Sequence, residues 1–293
     1  MELNYFVVDV FTETALKGNP LAVVMNGAGL STGQMQAIAQ EFNLSETTFV
    51  QRRPPQVERV EGVRVRIFTT QEELNFAGHP TLGTASVLRL EAPESVQGAT
   101  LRLALNVGPV PVLFNAEGSF GEMTQRGPEF GAELDPEMVA RLTGLAVENL
   151  DPKLPPQVVS TGTAFAIVPL RSVAALARLN VNQQEATAWL RERGARWFYV
   201  LAPTGHQAPA WRARMQFHGG EDPATGSAAG CAISYLVARA AAYPGHKIQI
   251  QQGVEIGRIS DLFVSADLDS SKVTNVRVGG STVLVAKGLL FLP

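Results

Sequence analysis

Residues 224–236 read ATGSAAGCAISYL, and residues 76–88 read FAGHPTLGTASVL. Laid over each other, Gly78 falls on Gly226 and His79 on Ser227, an offset of 148 residues in a chain of 293. Each stretch is a glycine, a polar residue, and then a helix-like run of small and apolar residues. Such a run lets neighbouring backbone come close, and a glycine at its start leaves room for a ligand beside the unsatisfied first-turn N–H groups. The echo predicts two similar lobes, each built on a small-residue helix. For either stretch alone, close packing explains the glycines and alanines as well as ligand binding does.

Around these two stretches the chain alternates strand and helix signals. LNYFVVDVFT (3–12) and NPLAVVMN (19–26) have the β-branched and aromatic content of strands, with Gly18, Asn19 and Pro20 supplying a turn between them. In STGQMQAIAQEF (31–42), Ser31 suits an N-cap, and Met35, Ile38, Ala39 and Phe42 share one helical face. TTFVQ (47–51) resumes strand character, so Ser45 and Glu46 fall at a helix-to-strand corner. GVRVRIFTT (62–70) alternates cleanly, and the helix of residues 79–90 is entered through Pro80. ATLRLALNVGPVPVLFN (99–115) and SFGEMTQR (119–126) add strands, DPEMVARLTGL (135–145) a helix, and the Pro-rich NLDPKLPPQ (149–157) is the best linker candidate.

QVVSTG (157–162) and AFAIVPL (164–170) then read as strands, residues 173–179 and 183–192 as helices, and WFYVLAP (197–203) as a strand. KIQIQQG (247–253), GRISDLFVSAD (257–267), KVTNVRVGG (272–280) and TVLVAKGLLFL (282–292) complete the series as separate strands. Strands before, between and after helices predict an α+β fold with sheets wrapped around a helix, not a doubly wound parallel sheet.

Composition narrows the function. With 17% charged residues and a formal charge of -3, the chain lacks the clustered Lys and Arg a nucleic-acid binder needs. The N-terminal MELNYFVVDVF has no basic region before its apolar run and reads as a strand, and the longest helix-like apolar stretch (228–243) is too short for a membrane span. A cytoplasmic protein is expected. The single cysteine, Cys231, permits neither an intrachain disulfide nor a pair of catalytic thiols. Histidines 79, 206, 218 and 246 lack the short spacing of a zinc site, a P-loop lysine is missing from DPATGSAAG (222–230), and Thr225 occupies the first glycine position of a nucleophile elbow. Chemistry without a cofactor is the simplest expectation.

Two helix openings, each with free N–H groups and the positive end of a helix dipole, suit a small carboxylate. Glu46, in an apolar setting, suits proton transfer near neutrality; a surface or capping glutamate would look the same. His79 is a proton shuttle or a helix cap, Asp222 before Pro223 a site residue or a turn residue, and Ser227 a ligand-binding hydroxyl or an N-cap.

YFVVDVFTETALKGNPLAVV (5–24), NLSETTFV (43–50), NFAGHPTLGTA (75–85) and EDPATGSAAG (221–230) together resemble the PhzF-like phenazine-biosynthesis family, in the family's order and across the chain. The resemblance implies the diaminopimelate-epimerase-like fold: two similar lobes, each a curved sheet around a central helix, with the active site in the cleft between them. It further implies lobes of residues 1–127, joined by the C-terminal strand 283–293, and 128–282, and a homodimer. The activity implied is a cofactor-independent isomerase acting on a small carboxylate-bearing, amino-acid-like molecule, with Glu46 as acid/base, His79 and Asp222 as its polar partners, and Gly78, Gly226 and Ser227 holding the substrate. Ala77 and Thr225 stand near the places where related racemases carry thiols, so two-thiol racemisation is disfavoured. Glu221 is expected to be structural. The spacer MQFHGG (215–220) is shorter than the family's loop, and His218 within it bears on substrate fit. An epimerase working without thiols and a non-catalytic small-molecule-binding dimer remain alternatives.

Overall fold

A computed structural model describes residues 1–217 and 219–292, so His218 lies outside the described residues. The chain divides into two compact units, Met1–Thr124 with Gly279–Pro293, and Gln125–Val278.

The first unit opens with β1 (Glu2–Val10) and β2 (Asn19–Val24), an antiparallel pair. The turn between them needs Gly18: its φ is +67°, and a Cβ there would sit 2.4 Å from the Val10 carbonyl oxygen. Ser31 caps α1 (Thr32–Phe42) through a capping box with Gln34, and Asn43 ends the helix in the left-handed conformation. Met35, Ile38 and Ala39 bury the face that the periodicity defines, against Leu3, Val24, Phe49 and Phe68. This helix is the crossover that lets β3 (Glu46–Gln51) run parallel to β2, with Leu21 opposite Glu46.

A short helix, α2 (Pro55–Glu61), leads into β4 (Val63–Phe68), which also pairs the two-residue β5 (Glu73–Leu74). Then comes α3 (Gly78–Glu91), followed by β6 (Thr100–Leu105), β7 (Gly108–Phe114) and β8 (Phe120–Thr124). The chain's last strand supplies the eighth stave, pairing with β8 on one side and antiparallel to β1 on the other. Closure removes both sheet edges. Inside the ring, α3 packs on β1, β2, β3, β6 and β8 and is buried on every side from Gly78 to Ala85. Its polar residues are satisfied internally: Thr81 donates to the Ala77 carbonyl oxygen, and the Thr84 and Thr48 hydroxyls lie 2.7 Å apart.

The second unit begins with β9 (Glu129–Glu133) and α4 (Pro136–Thr143), continues through β10 (Gln157–Ser160), β11 (Ala164–Pro169), α5 (Val173–Leu176), α6 (Gln183–Glu192), β12 (Trp197–Pro203) and β13 (Trp211–Arg214), and turns at the hairpin β14 (Gln216–Phe217) and β15 (Gly220–Glu221). After α7 (Gly226–Ala238) come β16 (Ile248–Gln252), β17 (Ser260–Asp269) and β18 (Lys272–Phe291). Its sheet runs β17-β16-β13-β12-β11-β10-β9. One side carries α4, α5 and α6 over a core of Val139, Leu176, Leu190, Phe198 and Val200. On α7 itself, every residue from Ala228 to Val237 is buried, against β10, β11 and β17.

Three expectations change. The Pro-rich stretch 149–157 is no linker: it lies inside the second unit, with Leu150 and Leu154 buried. Residues 272–291 form one strand of 20 residues, not two, because Gly279, Gly280 and Ser281 continue extended and buried. The helix expected over 173–179 is a single turn ending at Leu176, where the following carbonyls bond to Arg214 instead.

Candidate active site

The local structure that aims the first group of side chains is the parallel β2–β3 pair. Asn19 begins β2, Glu46 begins β3, and Gly78 and His79 are the first two residues of α3, behind Ala77 as N-cap. The His79 Nε2 atom lies 3.3 Å from the Glu46 carboxylate, and its Nδ1 lies 3.2 Å from the Asn19 amide nitrogen. An amide N–H aimed at Nδ1 selects the tautomer with the proton on Nε2, toward Glu46. Burial pushes the His79 imidazole down to about 3, so it stays neutral near pH 7. The result is a carboxylate, 16% exposed at its side chain, beside a neutral imidazole N–H at the mouth of a helix. Such a carboxylate can take up a proton and return it.

The second group surrounds the start of α7. Thr225 is the N-cap, Gly226 and Ser227 the first two helical residues, and Ser227 is half-buried. The Thr225 hydroxyl donates to Asp222 Oδ2 at 2.7 Å and does not accept from a helix N–H. Glu221 does not join this cluster. It pairs through both oxygens with Arg214, which also donates to the carbonyls of Leu176, Ala177 and Leu179 and so anchors the β14–β15 hairpin. Its structural role stands as expected.

Ala77 and Thr225 therefore occupy equivalent N-cap positions, and neither is a thiol. Cys231 lies in the second turn of α7, fully buried, against Thr161, with burial pushing its thiol up to about 11.

Sequence reasoning missed three side chains that hold these openings. Asn19 entered only as a turn residue, and its place in the quoted KGNP segment was the available signal. Gln252 ends β16 on the same face as Ile250, so an amide breaks an otherwise apolar side of the strand. Gln125 follows β8; its amide donates to the Gly226 carbonyl oxygen at 3.0 Å and accepts from Thr161 at 2.7 Å. Nothing in its local pattern distinguished it.

The fold is of the two-lobed, epimerase-like α+β class, and the chain's named relatives are isomerases. The chain belongs to the phenazine biosynthesis-like (PhzC-PhzF) family, whose match covers residues 8–288. It is 37% identical, over 99% of both chains, to an uncharacterized isomerase of Mesorhizobium japonicum. With the trans-2,3-dihydro-3-hydroxyanthranilate isomerase of Pseudomonas aeruginosa it shares 36% identity, again over 99% of both chains. Among solved structures, a PhzF-family phenazine biosynthesis protein of Bacillus anthracis superposes with a TM-score of 0.87 at 27% identity, covering 100% of both chains.

Proposed function

We propose that this isomerase moves a proton on a small carboxylate-bearing, cyclic amino-acid-like substrate without a cofactor, Glu46 being the group that carries the proton. The observation behind this reading is the contact of Glu46 with a buried, neutral His79 at the first turn of α3. The carboxylate accepts a proton from a substrate carbon and becomes a carboxylic acid; the His79 Nε2–H steadies the anionic form before and after. Because His79 does not itself charge near neutrality, the proton has no competing resting place. It returns to the substrate at a different carbon, and charge and atoms balance with no oxidant or co-reactant.

Asp222 assists from its hydroxyl-bound position. The first-turn N–H groups at Gly78 and Gly226, with the Ser227 hydroxyl, hold the substrate carboxylate, which the positive helix ends favour. The curated relatives' substrate, trans-2,3-dihydro-3-hydroxyanthranilate, is the first compound to try.

The test is hydrogen exchange in heavy water, using that compound and a panel of cyclic amino acids, with deuterium located by NMR. Wild type should place deuterium on a ring carbon of at least one compound. Glu46→Gln should lower the rate about 10²- to 10⁴-fold, the usual contribution of a general acid/base. Equal exchange by Glu46→Gln, or none by wild type on the whole panel, would overturn the proposal.

A further inference from the structure

Gln252 is fully buried, and its side-chain amide meets four partners. Oε1 accepts from the Thr225 backbone N–H at 3.1 Å and from the Tyr199 hydroxyl at 3.2 Å. Nε2 donates to the Asp222 carbonyl oxygen at 2.8 Å and to Thr225 Oγ1 at 2.9 Å. Two of these partners are backbone groups, one a donor and the other an acceptor, so the orientation of the amide is fixed and a flipped amide would face like against like. The Thr225 hydroxyl oxygen accepts a hydrogen bond from Nε2–H, which leaves the hydroxyl's own proton to be donated to Asp222 Oδ2, 2.7 Å away. The chain of donors runs in one direction from a core strand to a carboxylate at the mouth of α7.

A core glutamine with all four hydrogen-bonding sites used is a costly thing to bury for packing alone, since a leucine or methionine fills the same volume with nothing to satisfy. Here the amide grips both ends of the Asp222–Thr225 turn. It holds the turn's backbone at two points and sets the direction of its one hydroxyl.

We propose that Gln252 is a positioning residue: by fixing the Thr225 hydroxyl it holds Asp222 in one orientation, with a donated hydrogen bond, at the opening of α7. The functional weight of this arrangement rests on the role given to Asp222 above, whereas the arrangement itself can be tested without any substrate. The neighbouring ionisable groups do not obscure the readout. Burial, reinforced by the Asp222 charge, pushes the Tyr199 phenol well above its usual range; Cys231 is pushed up to about 11; and Glu221 is engaged by Arg214.

The experiment follows the Asp222 side-chain carboxyl by ¹³C NMR across an acid titration of the full chain. It compares wild type with Thr225→Val, Gln252→Met and Gln252→Glu. Losing the hydroxyl donor should raise the Asp222 midpoint by about one pH unit in Thr225→Val. Gln252→Met should reproduce that rise although it touches no atom of the Asp222 carboxylate, and Gln252→Glu should exceed it, because an acceptor there draws the hydroxyl away. The double variant Thr225→Val with Gln252→Met should add nothing beyond the single changes. A midpoint unchanged in Gln252→Met would overturn the proposal and leave Gln252 a packing residue.

If neither Gln252 variant folds, wild type decides. Both Nε2 protons should be protected from solvent exchange and show cross-peaks to Thr225; an exchanging or mobile amide would overturn the proposal. Should Asp222→Asn leave proton exchange on substrate intact while these NMR results hold, the role of Asp222 fails and the positioning by Gln252 stands.

Discussion

Replacing Gly230 by alanine should destabilise the second unit, although alanine is the better helix former. A Cβ on Gly230 would lie 2.0 Å from the Gln125 Oε1 atom and 2.6 Å from its Cδ, where ordinary contact needs about 3.4 Å. Glutamine is flexible, so the amide moves rather than the helix, and the cost is what the amide was doing. It loses its bond to the Gly226 carbonyl oxygen and the one it accepts from Thr161. Each buried group left without a partner costs about 1–3 kcal/mol, against a gain of about 1 kcal/mol for Ala over Gly within a helix. The expected net loss is about 1–5 kcal/mol. In a Gln125→Ala background both the clash and the bonds are already gone, so Gly230→Ala should there be neutral or stabilising by up to about 1 kcal/mol, giving a coupling of about 1–6 kcal/mol. Urea unfolding followed by tryptophan fluorescence measures this directly, because all three tryptophans, 189, 197 and 211, belong to the second unit. An equal loss in both backgrounds, or no loss in wild type, would refute the reasoning.

Three further outcomes follow from the same geometry. Burial lowers the folded-state pKa of His79 to about 3, so below about pH 6.5 the unfolded chain binds a proton that the folded one refuses. Stability should therefore fall as pH drops from 6.5 toward 3, and His79→Gln should flatten that limb in urea titrations read by circular dichroism; an unchanged slope counts against a neutral buried imidazole. Cys231, with its thiol near 11 in place of the usual value of 9.0, should react with a disulfide reagent about 100-fold more slowly on acidity alone, and more slowly still for lack of access. Rapid labelling of the folded protein would show the second turn of α7 to be open. Gly83→Ala would bring a Cβ within 2.7 Å of both Leu21 and Val10 methyl groups, so the urea midpoint of the first unit should drop by the equivalent of about 1–2 kcal/mol after the helix-propensity gain. An unchanged midpoint would mean that α3 has slack inside its barrel.

The parts of this architecture visible in the sequence are those written in local pattern. The 148-residue echo places Gly78 and Gly226 at the first residue of each central helix, and the Ser31 capping signal and the face of α1 appear as drawn. What stayed hidden depends on distant partners. Strand β9 has no buried residue and no alternation, and it exists because β10 lies beside it. Short α2 buries Glu58 and leaves Val60 exposed, so it has no buried apolar face to announce it. Among the site residues, the four motif-borne side chains stood out by chemical type. Asn19, Gln125 and Gln252 did not, because an amide is notable only once its surroundings are known to be buried. A glutamine in IQIQQ reads as solvent-facing until the strand is seen to hide it.

The ring of the first unit closes through residues 282–291 of β18, antiparallel to residues 2–10 of β1 with one shift of register between Val7 and Val8. On the ribosome this reverses the usual order, in which an N-terminal domain folds while the rest is still being made. Residues 125–278 all emerge before the missing stave does, so the second unit has its whole sheet available while β1 still waits with one side unpaired. Of the ring's strands β1 is made first and waits longest with an open edge, so a factor that shields nascent strand edges would have residues 2–10 to cover.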